Sequence, residues 1–202
     1  MAFPPNWWGL MPNPFKATLN LEKAHQITSA FPNGEWRSID ARIFIADRGD
    51  QIHSNWRAAE GVDKMGGVYA ILLPVSWFSK PTTIPLHAPH SHKGEKIPYE
   101  FTVESVTDGG FGVVYFGRTS NLLQRWRGHF SRGQRKDGGQ VKFGLVDCGL
   151  YHDVETALRA LRANARILYF VLDGPANCAN RDVLEMSLCA RFAPPFNIKS
   201  EH

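Results

Sequence analysis

Apolar and polar positions change their period several times along this chain. LNLEKAHQITSAF (19–31) repeats at helical spacing and stops at Pro32, Asn33 and Gly34, which predicts one short helix. ARIFIAD (41–47) alternates and is β-branched, which predicts a strand. QIHSNWRAAEG (51–61) reads as a helix ending on glycine. GGVYAILLPV (66–75) reads as a strong apolar strand behind two glycines. Residues 79–98, rich in Pro, Lys and His, read as an exposed loop. YEFTVESV (99–106) and FGVVYFG (111–117) read as strands around a turn at Asp108, Gly109 and Gly110. A helix follows from a Ser120 or Asn121 cap, then a basic glycine-rich loop over 131–140. VKFGLVDC (141–148) is strand-like. Asp153 caps the helical VETALRALRANA, and RILYFVL (166–172) is a buried strand. Asn180 or Asp182 caps DVLEMSLCARF (182–192), which Pro194 and Pro195 end. Helices and strands mix without regular βαβ repetition. The expected fold class is therefore α+β, a small sheet covered by helices.

Composition narrows the class. At 202 residues and 43% hydrophobic content, the chain can build one core with large additions. No apolar run approaches the roughly 18 residues that span a bilayer. The start, MAFPPNWWGLMPNPF, lacks the charged and apolar regions of a signal peptide. Its prolines, Trp7, Trp8 and Phe15 suggest an arm that lies across this chain or a partner. Cys148, Cys178 and Cys189 are odd in number and widely spaced. This predicts small buried thiols and a reducing cytoplasm rather than a disulfide framework or a zinc finger.

Charge adds a location. Arg118, Arg125, Arg127, Arg132, Arg135 and Lys136 follow one another with no intervening acid. Without those six, 17 basic residues face 19 acidic ones, so the positive field is local, as suits contact with a phosphate backbone. Within it, Leu122, Leu123, Trp126 and Phe130 form one helical stripe, with Arg125 and His129 at i and i+4 on its flank. The guanidinium forks onto phosphate oxygens, and the imidazole moves protons near neutral pH. The same arrangement also suits a solvated basic face. Glu185 is the only charge in VLEMSLCA (183–190). A carboxylate there pairs with an arginine or holds a divalent cation. Tyr69 and Tyr115 each sit on an apolar strand, where core packing is the ordinary role. His87, His90 and His92 lack a fourth ligand nearby. They read as an exposed loop, touching solvent or DNA backbone, rather than a zinc site.

Taken in order, these pieces resemble the GIY-YIG nuclease family. GVY (67–69) and YFG (115–117) match the two halves of its signature. Arg118, the Asn121-Leu122 helix start, Arg125 and His129 follow in place, and Glu185 precedes PPFN with its Asn197. The resemblance covers 66–73, 111–130 and about 150–198. Two departures stand out: residues 76–110 form a long insertion between the tyrosine motifs, and Phe116 replaces the usual Ile or Val. The resemblance implies a small central antiparallel or mixed sheet flanked by helices, in a nuclease domain over 66–198. Residues 1–65 are then an N-terminal extension that wraps DNA or makes dimer contacts.

It also implies the chemistry of phosphodiester hydrolysis with one Mg²⁺ (or Mn²⁺). Glu185 is the metal ligand, and Arg125 neutralises charge on the phosphoryl oxygens. Tyr69 orients the attacking water and takes its proton, which requires positive charge nearby from Arg118, Arg125 or the metal. Tyr115 supports the water or the phosphate. His129 relays the proton or binds phosphate, so the general base is Tyr69 or His129. Asn197 fixes a loop or neighbour. Cleavage leaves 5′-phosphate and 3′-hydroxyl ends. Arg118, Arg127, Arg132, Arg135, Lys136, Lys93 and Lys96 are the DNA-binding candidates, with Arg37, Arg42 and Arg48 added by charge and location. A self-contained chain with the Arg-x-x-x-His helix most resembles a type II restriction endonuclease, a cytoplasmic homodimer that cuts double-stranded DNA at a short specific site. The alternatives are a structure- or single-strand-preferring nuclease of repair or mobile elements, and a catalytically inactive DNA-binding module.

Overall fold

The computed structural model describes residues 21–44, 61–62, 64–78, 82–85, 96–99, 106–107, 109–132 and 139–197. The Trp7, Trp8 and Phe15 arm, Arg48, nearly all of the 51–61 helix, the three loop histidines, Lys93, Arg135 and Lys136 lie outside the described residues. The architecture is α+β. A five-stranded sheet runs in the order β1 (Arg37–Asp40), β7 (Arg166–Val171), β2 (Gly67–Pro74), β6 (Phe111–Thr119), β5 (Val106–Thr107), and every neighbouring pair is antiparallel. A separate two-stranded pair, β3 (Thr82–Pro85) and β4 (Lys96–Tyr99), falls in the insertion. Among the described residues no helix is long and apolar enough to cross a membrane.

The central position of β2 explains its sequence. Val68 to Leu73 are all buried because β6 and β7 flank the strand and helices cover both faces. Over one face lie α2 (Leu122–Phe130), α3 (Gln140–Asp147) and α4 (Val154–Asn164). There Trp126, Phe130, Leu145 and Leu161 pack on Tyr69, Ile71 and Ile167. Against the other lie α1 (Leu21–Ala30) and α5 (Cys178–Phe192). Leu184, Leu188 and Phe192 of α5, with Phe31 and Trp36 after α1, cover Val68, Ala70 and Phe116. Each large side chain fully buried in this way contributes about 1.5–3 kcal/mol. Residues 37–44 belong to the same body: β1 pairs along β7, and Ala41 and Phe44 enter the core.

Local signals set the helix starts. Asn121 accepts a hydrogen bond from the Gln124 backbone N–H at 2.9 Å, and Asp153 accepts from Thr156 N–H at 2.7 Å. The predicted apolar stripe of α2 is buried throughout.

The structure corrects four local expectations. Residues 141–148 are not a strand. Gln140–Asp147 is helical because Val141 and Leu145, one turn apart, both reach the core. Residues 41–44 form a 3-10 turn that buries Ala41 and Phe44, and the strand lies just before it at Arg37–Asp40. Helix α5 begins at Cys178 with Asn177 as its cap residue, so Asp182 lies inside the helix rather than at its start. Cys178 is exposed, whereas Cys148 and Cys189 are half-buried.

Candidate active site

The site collects at the edge of β6. Strand β5 pairs only with Phe111 and Gly112, so the rest of that edge has no further strand among the described residues. The chain after α5 covers part of it. Ala193 takes a left-handed conformation (φ 42°) that stops α5, and two prolines follow. Phe196 N–H then donates to Val114 C=O at 3.0 Å. The Asn197 side chain acts as a short piece of strand. Its Oδ1 accepts from Phe116 N–H and its Nδ2 donates to Phe116 C=O, both at 2.6 Å. Asn197 thus satisfies the backbone between Tyr115 and Gly117.

Tyr69 and Gly117 face each other across β2 and β6. A Cβ on Gly117 would lie 2.5 Å from Tyr69 Oη and 2.8 Å from a ring carbon of Tyr115. The glycine of YFG is therefore the space that the Tyr69 ring needs. Tyr69 is fully buried, and its hydroxyl lies 2.7 Å from His129 Nε2. His129 is fully buried as well, with its ring against Tyr115 at 4.8 Å between centroids. The Arg125 Nη2 donates to Tyr115 Oη at 3.4 Å, and its guanidinium also interacts with Tyr69. The sequence placed Arg125 and His129 on the flank of α2. In the structure Arg125 is half-buried there and His129 turns wholly inward.

Electrostatics assign protonation states. Burial above all pushes the Tyr69 phenol well above its ordinary value; Tyr115 and, least, Glu185 add to this, and Arg125 opposes it. Burial, then Arg125 and Lys142, hold the His129 imidazole well below its ordinary value. Burial opposes the charge on Arg125, but the two tyrosines outweigh it and raise the pKa of the guanidinium further. At neutral pH the cluster is thus a neutral phenol, a neutral imidazole and a fixed cation. Arg125 Nε and His129 Nδ1 are buried polar atoms without a hydrogen-bond partner. A cationic donor left open in this way suits an anion.

Glu185 stands on α5. Its Oε2 lies 3.0 Å from Arg118 Nε, and Arg118 Nη1 lies 2.9 Å from Asp182 Oδ1. Arg118 therefore joins the two acids rather than the tyrosines. Among the described residues no group of three or more His, Cys, Asp or Glu forms a metal cage. One carboxylate is enough for Mg²⁺, which keeps several waters and takes phosphate oxygens. Glu185, with Asp182 three residues before it, offers that hard-oxygen chemistry. Burial and then Glu185 push the neighbouring Cys189 thiol up to about 12, so it stays protonated.

The remaining basic candidates divide. Arg127 and Arg132 are exposed, and Arg132 pairs with Glu155 at 3.2 Å. Lys96 opens β4 in the insertion. Two residues escaped the sequence reading. Lys142 is fully buried and donates to Ser131 C=O at 2.5 Å, past the end of α2. Reading its segment as a strand hid that role. Asp182, which its sequence context marks as a cap, lies inside α5, and its i, i+3 spacing to Glu185 puts both acids on one helix face.

Compared with protein-family models, with curated proteins and with solved structures, the chain matches none of them.

Proposed function

We propose that this chain is a GIY-YIG-type endodeoxyribonuclease that cuts double-stranded DNA at a short specific sequence in Mg²⁺ or Mn²⁺, as a cytoplasmic homodimer of the type II restriction class. One observation carries the reading. Tyr69, 60 residues before His129, meets Tyr115, Arg125 and His129 in one cluster, and Arg125 keeps a buried donor without a protein acceptor. Glu185 lies close enough to act on Tyr69 electrostatically.

The residues divide the work as follows. Arg125 takes a phosphoryl oxygen of the scissile phosphate on its open donor and counters the charge that develops there. In doing so it draws away from the two hydroxyls and uncovers Tyr69. Tyr69 holds the attacking water. A buried phenol at neutral pH is not a phenolate, so Tyr69 accepts the proton of the water only as it passes its own to His129 Nε2. His129 is kept neutral for that step, and it is the final proton acceptor. Tyr115 steers Arg125 through its hydroxyl, and Asn197 fixes the strand that carries Tyr115. Glu185 would hold the divalent cation, which when bound would supply Lewis acidity. The water oxygen bonds to phosphorus as the P–O3′ bond breaks, and O3′ takes a proton from solvent, leaving 5′-phosphate and 3′-hydroxyl ends.

The test is incubation of purified chain with plasmid and phage DNA in Mg²⁺, beside Glu185→Ala. The expected result is a discrete ladder from the wild type and none from the variant. Equal cutting by both removes Glu185 from the mechanism. Cutting confined to branched or single-stranded DNA replaces the restriction reading with a repair-type nuclease, and binding without cutting leaves a DNA-binding module. A monomer both free and on DNA overturns the homodimer.

A further inference from the structure

We propose that Lys142 and Arg162 are positioning residues that tie down the last turn of α2 and so hold His129 against Tyr69. The bearing of this on cleavage rests on the nuclease reading above.

The last carbonyls of a helix have no N–H partner inside it. Many helices meet them with a left-handed residue just past the end, which folds backbone N–H groups back. Helix α2 does not stop in that way. Ser131 is extended (φ −106°, ψ 171°), and among the described residues only Ala193 combines a side chain with a positive φ. Side chains from two other helices meet the carbonyls instead. Lys142 Nζ of α3 donates to Ser131 C=O at 2.5 Å and, at a longer 3.4 Å, to Gly128 C=O. Arg162 Nε of α4 donates to Phe130 C=O at 2.8 Å. The carbonyls on both sides of His129 are thus held by cations 11 to 32 residues away in sequence. Positive charge also suits the negative end of the helix dipole.

His129 needs this support because its ring has little anchorage of its own. Nδ1 has no hydrogen-bond partner, and the bond from Nε2 to Tyr69 Oη, at 2.7 Å, is the one that the reaction uses. The ring therefore takes its place from packing and from the backbone of the last turn, and helix ends fray. Proton transfer needs a separation of about 2.6–3.2 Å, so a shift of roughly half an ångström breaks the relay. Phe130 stacks on Phe44 at 4.9 Å between centroids, which secures its side chain but leaves the carbonyls to the cations. His129, Phe130 and Lys142 are fully buried, so water is a poor substitute for the lysine. Lys142 and Arg162 each make further interactions, and the role needs only the bonds named.

The two cations differ in one respect. The groups that face the ring are Tyr69 of β2, Tyr115 of β6, Arg125 of α2 and Lys142 of α3. The charge of Lys142 opposes protonation of the imidazole, whereas Arg162 is not among the groups that shift it. Arg162→Met therefore loosens the turn without changing the field at the ring.

The test joins a double-mutant cycle to a resonance. The full chain is prepared as wild type, Lys142→Met, Arg162→Met, His129→Gln and the two combinations with His129→Gln, each checked for folding by circular dichroism. Single-turnover cleavage of plasmid DNA in Mg²⁺ is measured beside retention of the same DNA in Ca²⁺. Lys142→Met and Arg162→Met are each expected to lose roughly ten- to hundredfold in cleavage rate and less than about threefold in DNA retention. In the His129→Gln background the same changes are expected to cost less than about threefold in rate, because the ring they position is gone. Equal losses in both backgrounds overturn the proposal, since the damage then does not pass through His129. Full rates in Lys142→Met and Arg162→Met overturn it as well. The resonance is the imidazole Cε1–H of His129 in protein carrying ¹³C-labelled histidine, identified by its loss in His129→Gln. The Tyr69 and Tyr115 rings displace it in the wild type, and in both methionine variants it is expected to move towards the value of free histidine. An unmoved resonance overturns the positioning whether or not DNA is cut. If the wild type cuts no DNA, the nuclease reading fails and the role in cleavage with it, and the resonance alone decides whether the two cations hold the ring. If Lys142→Met does not fold, Arg162→Met carries both readouts.

Discussion

Replacing His129 with glutamine tests the protonation argument through stability alone. His129 is fully buried, and the groups that face it are Tyr69, Tyr115, Arg125 and Lys142. Burial and the two cations hold its folded pKa well below 6.5. In the unfolded chain the imidazole titrates near 6.5. A depressed folded pKa means the contribution is complete above pH 6.5 and is lost as pH falls from there towards the folded value. At pH 5.5 an unfolded imidazole is protonated about ten times in eleven. The loss by then is RT ln 11, about 1.4 kcal/mol, provided the folded ring stays neutral. The carboxylates with lowered values, Asp40, Asp153 and Asp173, titrate below the carboxylate range and stay out of this window. His129→Gln does not titrate, and its side-chain carbonyl accepts the Tyr69 hydroxyl in place of Nε2. The assay is urea unfolding of both proteins at steps from pH 7.5 to 5.5. The wild-type minus variant difference is expected to fall by about 1.4 kcal/mol over that range, all other groups cancelling. Parallel curves would refute the claim that the folded imidazole is held neutral.

Two further substitutions probe the β6 edge. Gly117→Ala places a methyl 2.5 Å from Tyr69 Oη and is expected to cost about 1–3 kcal/mol of stability, with a loss of cleavage rate beyond that seen in thermally matched core variants. A thermal melt beside single-turnover cleavage checks both, and an unchanged melt would show that the Tyr69 ring is not packed there. Asn197→Ala strips both Phe116 backbone groups of their partner and is expected to cost about 2 kcal/mol in urea unfolding. Asn197→Asp, which keeps only the acceptor, is expected to fall between the two, and equal stability of all three proteins would remove the strand-mimic role.

The sequence by itself determined whatever depends on near neighbours. The apolar run of β2, the stripe of α2 and the caps Asn121 and Asp153 are signals within one turn or one pleat, and they read correctly. The order of Tyr69, Tyr115, Arg125, His129, Glu185 and Asn197 was visible as a spacing too. Only the tertiary structure decided what required contact at long range. Residues 141–148 have apolar positions that fit either period, and packing against α2 and α4 selected the helix. That choice buried Lys142 beneath the end of α2, where its charge acts on His129. Glu185 carried an open choice between an arginine and a cation. The fold answered half of it by bringing Arg118, on a strand, to two acids on α5. Asn197 meets Phe116 across 81 residues of chain, because β6 has an edge that β5 does not cover. Unpaired backbone on a sheet edge must find a partner somewhere, and which residue supplies it is fixed by where the chain returns, which no local pattern records.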